Sequence, residues 1–161
     1  MEHKLFDKRL SGVLERMRNA CLTAAGVSAD ATTGDIELDN AQTIVINGQI
    51  YSNEAVAAID LSADATVGGV KIPAGKKAAI LVLVNATGTE KLMLTNIVAA
   101  AGDIVIPEFD TAAYVCVAAV KISNGTAVDF TIGTTALNTA SVTTTYIDVF
   151  NVIPGEIPPW S

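Results

Sequence analysis

The chain is poor in the residues from which most active sites are built. Its 161 residues include a single histidine, His3, so Ser–His and Cys–His pairs and most metal centres lack their usual base or ligand. The two cysteines, Cys21 and Cys116, stand far apart and form neither metal-ligand spacing nor a disulfide framework. We therefore expect no catalytic activity, no cofactor and no metal site.

Aromatic and charged side chains are also scarce. Aromatic residues make up 5% of the chain and charged residues 17%, whereas ordinary globular domains carry roughly 25% charged residues. A chain of this length forms about one domain and buries a core without metals or disulfides. Two interpretations remain open: a β protein with a threonine-rich exterior, or a subunit whose surface is partly covered by other chains.

Long apolar runs are absent as well. The longest, "AAYVCVAAV", falls far short of the roughly 18–20 residues that a membrane span requires. The amino terminus also lacks the uninterrupted apolar stretch of a secretion signal. The sequence therefore predicts a soluble protein that is synthesised in a cytoplasm and has no membrane partner.

The charges that are present are unevenly placed. The net charge is −7, yet the first eighteen residues hold five cations against three carboxylates. The remainder holds five lysines, no arginine and fourteen carboxylates. Binding to a duplex requires clustered cations that displace counterions from phosphates. The acidic body of this protein would repel nucleic acid, so no nucleic-acid partner is expected.

The amino-terminal segment has the pattern of an amphipathic α-helix. Its apolar residues recur at helical spacing and form one stripe, with the basic residues elsewhere on the surface: Phe6, Leu10, Val13, Leu14, Met17 and Cys21. Gly26 is a suitable stop, so we predict a helical arm over residues 1–26. The stripe packs either on its own domain or on a neighbouring subunit, and both interpretations remain open.

Strand patterns follow the arm. Asn47-Gly48 lies between two β-prone runs and is a strong hairpin signal, because both turn positions tolerate positive φ. A further strand is predicted over Ala58–Leu61. The last strand lies in "SVTTTYIDVFNVIP", and neither of its faces is purely apolar.

The stretch "GGVKIPAGKKAAILVLVNATG" has the glycines and lysine of a phosphate-binding loop, but not its spacing. Gly69 and Gly75 are separated by five residues, Lys77 stands where a hydroxyl residue is needed, and Pro73 removes an amide donor. The run that follows is short and β-branched, so it predicts a buried strand, Ile80–Val84, rather than a helix.

A similar sequence occurs thirty-four residues after this stretch. "KIPAGKKAAILVLV" aligns with "VIPEFDTAAYVCVA", and in each an Ile-Pro pair precedes a buried strand, the second being Tyr114–Val120. Glycine turns and returning strands follow both, in "TEKLMLTNIV" and "TAVDFTIGTT". We interpret the pair as a repeated hairpin within one β-sandwich domain, residues 27–153.

The carboxyl-terminal tail, residues 154–161, reads "PGEIPPWS" and is predicted to lie extended because its prolines exclude helix and central strand. Trp160 either closes one end of the core or inserts into a partner. The remaining chemistry-bearing residues are carboxylates that would pair, or bind calcium, only if loops brought them together: Asp60, Asp64, Asp103, Glu108 and Asp110. No EF-hand spacing is present, and each fits a solvated loop residue.

A short basic helix, "KLFDKRLSGVLERM", that leads into an alanine-, threonine- and glycine-rich β domain resembles the small virion structural proteins of tailed bacteriophages, of the head-decoration and head or tail accessory type. The resemblance covers the organisation of the whole chain rather than a diagnostic motif. It implies an antiparallel β-sandwich or jelly roll preceded by one amphipathic helix, and a noncatalytic homo-oligomer on a virion.

The expected partners are further copies of the chain and other virion proteins, such as the major capsid protein. The expected location is the virion, after synthesis in the cytoplasm of a bacterial host. The alternative is a carbohydrate- or receptor-binding β module of a phage fibre or tail. Candidate interaction residues are those of the helix stripe and the tail: Phe6, Leu10, Val13, Leu14, Met17 and Trp160.

Overall fold

The computed structural model describes residues 18–30 and 34–150, and in this part of the chain the protein is mainly β, with no α-helix. The described residues form a short 3₁₀ turn, Ala101–Asp103, and twelve strands. The strands are β1 (Ala20–Cys21), β2 (Val27–Ala29), β3 (Ile36–Leu38), β4 (Gln42–Ile46), β5 (Gln49–Asn53), β6 (Val56–Ile59), β7 (Lys71–Ile72), β8 (Lys77–Asn85), β9 (Glu90–Leu94), β10 (Tyr114–Asn124), β11 (Phe130–Thr131) and β12 (Val142–Asp148).

All strand pairs are antiparallel. The largest sheet has the order β12-β10-β8-β9 and is called the four-stranded sheet. A second sheet, β1-β4-β5, contains the tight hairpin of β4 and β5 and is called the hairpin sheet. The remaining strands form a sheet of order β2-β3-β6 and the two-stranded pair β11-β7.

The predicted hairpin at Asn47-Gly48 is confirmed. Five residue pairs join β4 to β5 on either side of the turn. Asn47 has φ 53° and Gly48 has φ 78°, so both turn positions adopt the left-handed conformation that asparagine and glycine tolerate best. This turn fixes the register of the hairpin sheet and therefore decides which side chains face the core.

One large apolar core joins all the sheets. Buried residues of the hairpin sheet, such as Ile44 and Ile46, lie in the same cluster as Ile36 and Leu38 of β3 and the inward residues of the two long strands. Strand β8 is buried on both faces, because each residue from Ala78 to Val84 is at most 1% exposed. That continuous burial explains why "AAILVLV" shows no polar–apolar alternation.

A β-bulge lets β10 contribute an extra side chain to this core. Cys116 pairs with Leu83 and Ala118 with Val82, so Val117 has no opposite residue on β8. Consecutive residues of a regular strand face opposite sides, yet Val117 and Ala118 both belong to the large core. The bulge thus keeps the inward face of β10 apolar from Val115 to Ile122.

The second face of the four-stranded sheet carries a smaller cluster. Leu81, Leu83, Ala119 and Val149 are buried there, and Ile106 and Phe109 among others pack against them. The Ile106-Pro107 pair therefore lies in an irregular segment that covers the sheet rather than at the end of a strand.

This placement corrects the predicted repeat. Ile72-Pro73 does follow a strand, β7, and the first hairpin, β8–β9, is present with five residue pairs. The second half differs, since the strand in "TAVDFTIGTT" is only Phe130–Thr131 and pairs with β7 rather than with β10. The other neighbour of β10 is β12. The prediction of a repeated hairpin is therefore wrong, because the partner of β11 comes from a distant part of the chain.

The helix prediction also fails at its end. Ala20 and Cys21 form β1 and pair with Val45 and Ile44, so antiparallel pairing begins before the predicted domain boundary at Val27. An apolar residue at position 21 fits both the helical and the strand spacing of apolar residues. In the structure, Cys21 is buried beside Ile44 in the large core as part of a strand. The strand predicted over Ala58–Leu61 is present as Val56–Ile59. Residues 1–17 and 151–161 lie outside the described residues.

Candidate interaction surface

Two of the carboxylates that the sequence offers for acid–base chemistry, Asp60 and Asp64, are used in turns. Oδ1 of Asp60 accepts hydrogen bonds from the backbone N–H of Ser62 at 2.8 Å and from its hydroxyl at 2.6 Å. Oδ1 of Asp64 accepts the same two bonds from Thr66, at 2.8 and 2.6 Å. An aspartate whose carboxylate caps its own turn in this way has a structural role.

These bonds also set the acidity of the two groups. Hydrogen bonds from the hydroxyl and the amide of Ser62 lower the pKa of Asp60. Burial raises the pKa of Asp64, but the hydrogen bonds from Thr66, Leu92 and Val67 together outweigh it and the net pKa is lowered. A general acid needs a raised pKa, so neither carboxylate is suited to that role.

The same turn recurs at two asparagines. Oδ1 of Asn85 accepts hydrogen bonds from both the backbone N–H and the hydroxyl of Thr87, and Oδ1 of Asn124 accepts both from Thr126. The Asn-x-Thr triplets in the sequence are therefore turns. Asn124 is 1% exposed, and its Nδ2 also donates to the carbonyl of Ile72 at 2.8 Å. Its amide thus joins two loops, a role that its triplet does not indicate.

The pKa of one other carboxylate is shifted in the opposite direction. Burial and the nearby charges of Asp60 and Asp30 raise the pKa of Asp35. The described residues contain no group of three or more side chains that could hold a metal ion. The Asp30–Asp35–Asp60 group is therefore a site of like-charge repulsion.

The two thiols are not poised for reaction. Cys21 is 3% exposed, its Sγ donates to the carbonyl of Thr23 at 3.0 Å, and burial raises the pKa of its thiol. Burial raises the pKa of the Cys116 thiol to about 12. Because the thiolate is the nucleophile, both groups are inert near neutral pH. Cys116 lies beside the smaller cluster and acts as a small apolar side chain, as the sequence predicts.

The hairpin sheet presents the most distinctive exposed surface. Cys21, Ile44 and Tyr51 occupy one row across β1, β4 and β5, and all three contact the large core. Since side chains alternate along a strand, the neighbouring rows point away from the core. The outer face of the hairpin sheet is formed by six uncharged residues: Ala20, Leu22, Thr43, Val45, Ile50 and Ser52.

Apolar side chains are exposed on this face and elsewhere. Ile50 is 68% exposed and Leu22 is 39% exposed on the outer face of the hairpin sheet. Away from it, Val105 in the covering segment is 64% exposed and Val128 in the turn after β10 is 69% exposed. Phe150, next to the end of the described chain, is 42% exposed. Single exposed aliphatic residues are ordinary, but an uncharged sheet face is a candidate docking surface.

All the sequence-derived interaction residues lie outside the described residues: Phe6, Leu10, Val13, Leu14, Met17 and Trp160. Sequence reasoning missed the outer face of the hairpin sheet. The signal was available in "QTIVINGQIYS", where the fixed hairpin register places Val45 and Ile50 side by side.

Comparison with known proteins adds no assignment: no family model matches the chain, and neither a curated protein nor a solved structure matches it. Within the described residues, no helix is long and apolar enough to cross a membrane.

Proposed function

We propose that the chain is a noncatalytic structural assembly protein of a phage virion, a capsid decoration or accessory component that acts through contacts between subunits. The observation that carries the proposal is the composition of the surface, where uncharged and apolar side chains are exposed at separate places. Val105 and Val128 are more exposed than buried, and they lie in separate irregular segments of the chain. Burial of such surface between subunits is favourable.

The fold within this proposal is a β-sandwich. The packing of β1 and β4 against β10 supports it, since these contacts set the hairpin sheet against one face of the four-stranded sheet. The arrangement is also typical of antiparallel domains whose two sheets share one core. Jelly-roll connectivity is the alternative form of the same architecture.

The chemistry of the described residues is consistent with a noncatalytic role. Asp60 and Asp64 are engaged in their own turns, and the thiol of Cys116 has a pKa of about 12. The assignment to a virion comes from the resemblance in organisation, a basic amphipathic segment followed by a small-residue β domain.

Native mass spectrometry and light scattering of the full chain at micromolar concentration test the assembly role. We expect one discrete oligomer. Val105→Lys, Val128→Lys and Trp160→Ala each alter a candidate contact, and we expect at least one of them to lower the observed mass. Thr143→Lys is the matched control, because it adds the same charge as the first two variants at an exposed polar position of β12.

A monomer under these conditions would refute the assembly role. Recovery of the chain in purified phage particles, detected by mass spectrometry of their proteins, tests the virion assignment separately. An oligomer that is absent from such particles would retain the assembly role and reject the location.

A further inference from the structure

The outer face of the hairpin sheet is partly covered by something other than the described core. Val45 lies in the central strand of this sheet, between Ala20 and Ile50, and points away from the large core. It is nevertheless only 8% exposed, and it belongs to neither of the two apolar clusters formed by the described residues. Ile50, in the same row at the sheet edge, is 68% exposed. Such low exposure at an outward-pointing position of a central strand indicates that a further segment of chain covers the middle of the face.

The chain before Arg18 reaches the sheet at the right place to provide that cover. The carbonyl of Arg18 accepts a hydrogen bond of 2.9 Å from the N–H of Gly48, and Oδ1 of Asn19 accepts one of 2.8 Å from the N–H of Asn47. These bonds hold the chain at the turn end of the hairpin sheet. Only Arg18 and Asn19 separate Met17 from β1, and a connection of two to six residues is the usual link that returns a helix onto a sheet.

The dimensions and the chemistry also agree. A helix over residues 6–17 would be about 18 Å long, and a five-residue strand such as β4 is about 17 Å long. The helix stripe is wholly apolar, and the face it would meet has no charge. The cations Lys4 and Lys8 lie opposite the stripe at 100° per residue, so they would remain in water.

We propose that residues 1–17 fold back as an amphipathic helix and pack on the outer face of the hairpin sheet of the same chain. The stripe Phe6, Leu10, Val13, Leu14 and Met17 covers Ala20 and Val45, with Ile50 at the margin. The helix is then a third layer of the domain, and its basic side faces outward. This inference does not depend on the proposed assembly role, since it concerns packing within one chain.

Disulfide trapping tests the proposal. In a Cys21→Ala, Cys116→Ala background, Ile50→Cys is combined in turn with Leu10→Cys, Val13→Cys or Leu14→Cys, and each dilute full-length protein is mildly oxidised. Lys8→Cys with Ile50→Cys is the matched control, because Lys8 is opposite the stripe. Intact mass, peptide mapping and non-reducing electrophoresis separate intrachain from interchain bonds.

We expect an intrachain disulfide at one or more stripe positions, in about tenfold excess over the Lys8 control, since effective concentration favours docked partners. Predominantly interchain disulfides would overturn the proposal and place the stripe on a second copy. Disulfides no more frequent than in the control would also overturn the proposal. The face would then bind residues 1–17 neither of the same chain nor of a second copy.

A second measurement does not depend on cross-linking. It uses a Val→Cys substitution, which changes the size of the side chain little. In the same background, the thiol of Val45→Cys is labelled in the full chain and in a chain lacking residues 1–17. We expect the deletion to speed labelling about tenfold, because a covered group reacts only through local opening. Val128→Cys, exposed elsewhere, should react equally in both forms. Equal rates for Val45→Cys in the two chains would reject the cover.

Discussion

Oδ1 of Asp148 accepts a hydrogen bond of 2.7 Å from the backbone N–H of Gly26, although 122 residues separate the two in the chain. The same oxygen accepts a second bond, of 3.1 Å, from the N–H of Val27. Asp148 ends β12 and Val27 begins β2, so one carboxylate ties the edge of the four-stranded sheet to the start of the β2-β3-β6 sheet. A charged acceptor with two amide donors is among the stronger side-chain connections.

Asp148→Ala should therefore destabilise the protein by about 1–3 kcal/mol, because two part-buried amides lose their acceptor. Urea unfolding followed by circular dichroism measures the change. Asp148→Asn keeps an oxygen acceptor and loses the charge, so it should cost less than Asp148→Ala. Equal stability of Asp148→Ala and the natural chain would show that water replaces the carboxylate.

Gly133 occupies a position that no larger residue fits. Its φ is 74°, and a Cβ there would lie 2.6 Å from the backbone nitrogen of Ser62. We expect Gly133→Ala to destabilise the fold by about 2–4 kcal/mol, the sum of left-handed strain and a clash with backbone that cannot move aside. Thermal unfolding provides the measurement.

Gly69→Ala is the matched control for this clash. Gly69 has φ 75°, and no atom lies within 4 Å of an added Cβ. Gly69→Ala should be destabilised only by the left-handed strain, which costs about 1–2 kcal/mol. If both variants were destabilised equally, the contact with Ser62 would be of no energetic importance.

Asp35 should destabilise the protein at neutral pH. Its pKa is raised by burial and by Asp60, so ionisation is more costly in the folded than in the unfolded state. Asp35→Asn should raise the free energy of unfolding at pH 7 by less than about 1 kcal/mol, because the group is partly solvated, and thermal unfolding measures the change. The gain should vanish below pH 3.8, the ordinary pKa of an aspartate, because the carboxyl is then protonated in both states.

Asp103→Asn removes the same charge from an exposed position in the 3₁₀ turn and serves as the control. Its effect should be smaller at pH 7. A destabilising effect of Asp35→Asn at pH 7 would contradict the assigned direction of the pKa.

Both thiols should react only when the protein opens. With a pKa of about 12, Cys116 is about 0.01% thiolate at pH 8. Labelling with a disulfide reagent at pH 8 should be slow for Cys116 and for buried Cys21, and fast for both in denaturant. Rapid labelling of either thiol in the folded chain would contradict its raised pKa.

Local patterns predicted the parts of the fold that local interactions determine. Asn47-Gly48 specified its hairpin, and the apolar runs specified β8 and β10, because turn chemistry and burial act over a few residues. The partner of β11 could not be predicted, since pairing Phe130 with Ile72 depends on the whole chain. Cys21 was assigned to a helix because one apolar residue satisfies both periodicities.

The candidate surface was less accessible from sequence. Low charge indicated that some exterior is uncharged, but only the register of β1, β4 and β5 places Ala20, Val45 and Ile50 in one row. The bond between Asp148 and Gly26 leaves no trace in either segment, because a capping carboxylate and a solvated one look alike in a sequence.

The bulge at Val117 also bears on how the gene can change. Outside the bulge, loss of one codon in β10 would turn the following side chains over, from interior to exterior. At Val117 the neighbours on both sides already have the inward–outward order of an uninterrupted strand. The bulge, Val117 and Ala118, is therefore the place along β10 where the polypeptide can lose one residue without inverting the strand, although the N–H of Val149 now donates to the carbonyl of Val117.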